Sequence, residues 1–130
     1  MSLSELVKFL TLLLHKEKIG LNFDQQQCWH TALYNIKKLP EMPGKPASLE
    51  GIFFDWNGPY PVCKELDDYL WGMGCTGCVE WSTLNMHEYE LVKGVAAIWD
   101  EEYRRLTEDE KHFLGAALRC VQLEFIEMAV

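Results

Sequence analysis

With 130 residues, 48% of them apolar and 25% charged, the chain fits one globular domain, and disorder is not expected of such a composition. A chain this size removes roughly two thirds of its unfolded surface from water, enough for a core without disulfide staples. The formal charge of −8 repels phosphate backbones, and no apolar run, Leu12-Leu13-Leu14 included, approaches the roughly 20 residues that cross a bilayer, so a nucleic-acid reader is disfavoured and a membrane span excluded.

The first periodic segment, SELVKFLTLLLHKEK, sets Leu6, Phe9/Leu10 and Leu13 at helical spacing, and Ser2 with Glu5 reads as a capping box. Gly20 is the expected stop. A second helix is expected from Asp24 to about Lys38, with Trp29, Ala32/Leu33 and Ile36 as its apolar stripe. PEMPGKP, from Pro40 to Pro46, sustains neither regular structure and reads as a loop within the domain. Gly51 to Trp56 reads as a short strand closed by Asn57-Gly58-Pro59.

From Val62 a third helix is expected, with Val62, Leu66, Tyr69 and Leu70 inward, Lys64, Glu65, Asp67 and Asp68 outward, and a stop at the glycines of GMGCTG. Residues Cys78–Trp81 and His87–Leu91 read as two strands of a hairpin turning through Ser82 to Met86. A fourth helix is expected over Lys93–Leu106 on Val95, Ile98/Trp99, Tyr103 and Leu106. Thr107 with Glu110 then caps a fifth, running to about Met128 on Phe113/Leu114, Ala117/Leu118, Val121 and Phe125. The expected architecture is one mostly helical α+β domain over 1–130: about five helices, a short strand and a two-stranded hairpin, in winged-helix order with a C-terminal two-helix extension.

FDWNGPYPVCKELDDYL, at Phe54 to Leu70, resembles the aromatic-x-GPYS-x-x-EL signature of small bacterial and archaeal winged-helix proteins. YELVKG, at Tyr89 to Gly94, is similar to the motif that closes their wing. A more distant resemblance links the chain to Panacea-type antitoxin domains. The likeness covers roughly residues 5 to 95, and its sharp part is under twenty residues; Pro61 stands where serine is usual and Val92 where threonine is. What it implies is a winged-helix fold and, by analogy, a toxin-like protein partner.

In a DNA-reading winged helix the third helix enters the major groove. Here that helix sets Lys64 against Glu65, Asp67 and Asp68, which opposes insertion. Cys75-Thr76-Gly77-Cys78 is the only CxxC, and Cys63 and His87 could converge on it. No second CxxC or CxxH exists, so ordinary turn thiols are preferred over zinc or a redox dithiol, although whether Cys75 and Cys78 bind metal stays open. Cys28 and Cys120 read as core. The four histidines, His15, His30, His87 and His112, show no ligand spacing, and no nucleophile or phosphate-binding motif appears. Asp67 and Asp68 read as a solvated helix face, because adjacent helical residues diverge by about 100°.

No cofactor or enzymatic activity is expected. With five cysteines, an odd number, and no recognisable leader, the chain reads as cytoplasmic with mostly free thiols. The aromatic residues point elsewhere: Trp56, Tyr60, Tyr69, Trp71 and Trp81 crowd a small region beside an acidic helix. The reading is a protein-interaction or regulatory module contacting a protein partner or a second copy through Trp56, Tyr60, Glu65, Asp68 and Trp71. The alternative is a dimeric DNA-binding winged-helix regulator.

Overall fold

The computed structural model describes residues 1–17, 26–75, 79–81 and 89–129, with side chains at 74, 75, 79–81, 89 and 126–129 left aside. Among the described residues there are five α-helices: α1 (Leu3–Lys16), α2 (Gln26–Lys37), α3 (Lys64–Cys75), α4 (Lys93–Arg104) and α5 (Glu108–Ala129). Two three-residue strands, β1 (Val79–Trp81) and β2 (Tyr89–Leu91), pair antiparallel with Val79 opposite Leu91 and Trp81 opposite Tyr89. The turn expected between them lies outside the described residues, as do Gly20, Asp24, Cys78 and His87.

α1 starts at the expected capping box. Ser2 Oγ accepts from the Glu5 N–H at 3.2 Å, and Glu5 Oε1 accepts from the Ser2 N–H at 3.4 Å, so two donors that a helix start leaves orphaned are satisfied reciprocally. The helix is not the one-sided element that Leu6, Phe9/Leu10 and Leu13 suggest. Leu3, Val7, Leu12 and Leu14 are buried as well, and α3, α4, α5 and β2 all lie against it. Even Thr11 is fully buried, its hydroxyl satisfied by donating to the Val7 carbonyl at 2.8 Å.

α5 starts at Thr107 as expected. Its hydroxyl accepts from the Glu110 N–H at 3.1 Å, and Glu110 accepts from the Thr107 N–H at 3.1 Å, which holds the Glu110 carboxyl below its usual range. Phe113, Leu114, Ala117, Leu118 and Val121 enter the core beside Trp29, Ala32, Leu33 and Ile36 of α2. Trp29 meets Phe125 edge-on at 5.6 Å.

The expected strand over Gly51–Trp56 is replaced by a 3-10 helix at Ala47–Gly51 and an extended stretch with a single bridge. A strand needs a ladder partner, and the chain supplies one residue of it. Asp55 N–H donates to Val62 O at 2.8 Å and Val62 N–H returns the bond at 2.9 Å. Val62 is thereby committed to closing a loop, so α3 begins at Lys64. It ends at Cys75, within the GMGCTG tract as expected, after passing through Gly72 and Gly74. An interior glycine costs about 1 kcal/mol, and burial of Leu66 and Leu70 offsets that here.

The segment from Pro40 to Pro46 is more than a connection. Lys45, whose side chain is 5% exposed, donates to the Lys37 and Leu39 carbonyls at 3.1 and 2.6 Å, capping the end of α2 with a cation. Gly44 holds φ +89°, and a Cβ there would lie 2.2 Å from the Asp109 carbonyl oxygen at the start of α5. Gly58, free as a glycine to take a positive φ, does not, and the space around it is open.

α4 has no fully buried residue, and Ile98, expected inside, is 61% exposed. Trp99, Tyr103 and Leu106 pack against the core as expected, joined by Ala96. Ion pairs add to this seam: Lys8 with Glu102, and Lys16 with Asp100, which also takes Arg104 at 3.0 Å. The hydrogen bond from Lys16 holds the Asp100 carboxyl below its usual range. A depressed carboxylate contributes stability above its unfolded pKa and loses it as pH falls through the folded value, so the tether weakens below about pH 4.

Gly44→Ala is expected to destabilise the chain by about 2 kcal/mol or more in urea unfolding, since both φ and the approach to Asp109 oppose a Cβ, while Gly58→Ala changes stability by less than about 0.5 kcal/mol. Asp100→Asn is expected to lower the melting temperature at pH 7 and to flatten the loss of stability as pH falls below about 4, read by circular dichroism.

Candidate interaction surface

The loop from Asp55 to Val62 is pinned at its base by the paired backbone bonds, and Asp55 Oδ1 accepts from the Asn57 N–H at 2.9 Å, turning the chain at its start. Pro61 is buried, whereas Trp56, Asn57, Gly58 and Pro59 are exposed. Trp56 is 57% exposed and stands edge-on to Tyr34 of α2 at 5.3 Å and 84°. Phe54 meets another edge of Tyr34 at 5.3 Å, Lys38 Nζ lies 4.5 Å from the Tyr34 centroid, and Lys37 Nζ lies 5.8 Å from that of Phe54 while donating to the Ile52 carbonyl at 2.7 Å.

Tyr60 turns the other way. Its ring is half-buried, 6.0 Å from the imidazole of His30. His30 has no exposure, so both ring nitrogens require partners. The Cys63 N–H donates to Nδ1 at 3.0 Å, which places the ring's proton on Nε2, and Nε2–H donates to Asp67 Oδ1 at 2.7 Å. One side chain of α2 therefore holds both the residue preceding α3 and the first turn of that helix.

Asp67 is thus not the freely solvated twin of Asp68 expected from the sequence. Cys63 is buried, and that burial pushes its thiol up against the partial offset of the Leu66 and Glu65 N–H groups. His30 spends Nδ1 on the Cys63 backbone, so neither nitrogen is left to take a proton from that thiol. Cys28, also buried, has its thiol pushed up by burial and by Glu124. Cys120 is half-buried, and burial raises its thiol too.

The five residues marked in the sequence do not converge on one spot. Successive helical residues turn by about 100°, so Glu65, Asp68 and Trp71 fan over an arc of about 120° on the outer side of α3. Glu65 lines a groove of about 340 Å³ with Phe53, Asp55 and Cys63. Asp68 lines a separate apolar cleft of about 270 Å³ with Tyr69 and Met73 of α3, Val7 and Lys8 of α1 and Trp99 of α4. Trp71 is 63% exposed. Tyr60 packs inward on His30, so within this group it acts chiefly as a positioning ring.

Phe53, 78% exposed, was hidden in the sequence by its place in an apparent strand. His30 and Asp67 were hidden by their separation of 37 positions, with no local spacing to join them. Among the described residues no group of three or more His, Cys, Asp or Glu could hold a metal ion, and the Cys75/Cys78 pair falls outside the described side chains. No helix among the described residues is long and apolar enough to cross a membrane. Compared with known proteins, the chain matches no family model, no curated protein and no solved structure.

Asp67→Ala leaves a fully buried imidazole N–H without its acceptor and is expected to cost about 1–3 kcal/mol in urea unfolding, against less than about 0.5 kcal/mol for Asp68→Ala next to it. Asp67→Asn keeps an oxygen in place and falls between them.

Proposed function

We propose that the chain is a non-enzymatic protein-interaction module of winged-helix-like architecture, docking through the Asp55–Val62 loop, Phe53 and the outer face of α3. The observation that carries this reading is the exposure of three large rings, Phe53, Trp56 and Trp71, at 78%, 57% and 63% in a chain of net charge −8. Large aromatic side chains held in water are costly unless another surface covers them, and tryptophan and tyrosine dominate the energetics of protein interfaces. Glu65 and Asp68 supply a polar margin of one sign, which favours a partner with basic residues around an apolar centre. The element order of three helices, a strand pair and two further helices supports the winged-helix reading. By resemblance, the partner is a toxin-like protein; a second copy of the chain is the other candidate.

Lys64 is the one basic residue of α3, beside Glu65, Asp67 and Asp68, which weighs against insertion of that helix into a DNA groove.

The paired change Phe53→Ser, Trp56→Ser is expected to keep the wild-type melting temperature and to weaken the complex recovered from the native cell by roughly 30-fold or more. Binding is read by calorimetry against the recovered partner, and self-association by light scattering. A chain that stays monomeric and recovers no protein, or that is retained on random duplex DNA at low salt, overturns the reading.

A further inference from the structure

The start of α3 is held by an imidazole, a group that ordinarily changes charge near neutrality, and its two nitrogens have unlike partners. His30 Nε2–H gives its proton to a carboxylate, whereas Nδ1 receives one from a backbone amide. An imidazolium carries protons on both nitrogens. At 3.0 Å, an Nδ1–H would face the Cys63 N–H donor to donor, and one of the two must move away. On the opposite edge the same event turns a neutral hydrogen bond into a charged pair with Asp67, which strengthens it.

We propose that His30 is a proton-operated latch: protonation at Nδ1 releases the Cys63 end of the Asp55–Val62 loop while the charged pair with Asp67 keeps α2 and α3 joined. Cys63 directly follows Val62, whose paired backbone bonds to Asp55 close the loop, so a shift at Cys63 moves the loop as a body. Tyr60 lies against the imidazole and moves with it. The groove lined by Asp55, Cys63 and Glu65 lies on the outer side of the same loop closure.

Among the described residues, the titratable side chains seen against His30 are Asp67 at Nε2 and Tyr60 on the loop, with Cys63 meeting it through the backbone and Tyr34 one turn along α2. Lys64 and Glu65 lie on the exposed first turn. The latch regulates the docking surface proposed above, and its biological consequence rests on that reading; the movement itself does not.

The test is nitrogen-15 NMR on the full chain between about pH 7.5 and pH 5, the range in which an imidazole ordinarily changes charge. At the upper end the ring is expected to be protonated at Nε2 only. As Nδ1 titrates, exchange of the Cys63 amide, corrected for its intrinsic pH dependence, is expected to accelerate roughly tenfold with the same midpoint, while amides of α1 stay protected. The His30→Gln chain, which keeps a donor for Asp67 but cannot titrate, is expected to lose the transition. The proposal is overturned by an Nδ1–H tautomer at neutral pH, by a ring that stays neutral until the whole chain unfolds, by titration that leaves Cys63 exchange unchanged, or by the same transition in His30→Gln. None of these readouts uses a partner, so failure of the docking reading and failure of the latch are separately visible.

Discussion

An imidazole that water cannot reach has to find one donor and one acceptor within the protein, and where it finds them decides how the surrounding chain lies. His30 finds its donor in the Cys63 backbone and its acceptor in Asp67. Those two contacts fix the start of α3 against α2, and the start of α3 is also where the Asp55–Val62 loop closes. Tyr60 is drawn inward onto the ring, so the opposite side of the loop presents Trp56 outward. One buried polar group thus joins the core to the surface that the proposed function uses.

The rest of the fold is arranged around α1. Because its apolar residues extend well beyond a single stripe, it has to be packed against on several sides, and α3, α4, α5 and β2 lie against it. The packing is uneven. α5 contributes fully buried residues and α4 none, so α4 relies on half-buried Trp99 and Tyr103 and on charges reaching across from Lys8 and Lys16. The cleft between α1, α3 and α4 is the hollow left along that looser seam.

Much of this was legible beforehand. The two capping boxes, Ser2 with Glu5 and Thr107 with Glu110, were visible because their donors and acceptors lie three residues apart. The apolar stripes of α2 and α5 were visible for a similar reason, since helical spacing maps one face onto one surface. The candidate surface was legible only in part: Trp56 and Trp71 are exposed as expected, whereas Tyr60 packs inward and Glu65 and Asp68 border different hollows. Phe53 was misplaced because a branched and aromatic run resembles a strand until its hydrogen-bond partners are known.

What the sequence determined by itself was therefore local: where helices start, which face of each is apolar, and that PEMPGKP and NGPYP interrupt them. The tertiary structure alone decided that α1 is buried over more of its surface than one stripe, that Gly44 rather than Gly58 carries the positive φ, and that Asp67 belongs to His30 while Asp68 belongs to water. The physical reason is range. Caps and helical stripes depend on neighbours within one or two turns of the chain, but the partner of a buried nitrogen, or the backbone that crowds a glycine, arrives from a distant segment only after the helices have packed.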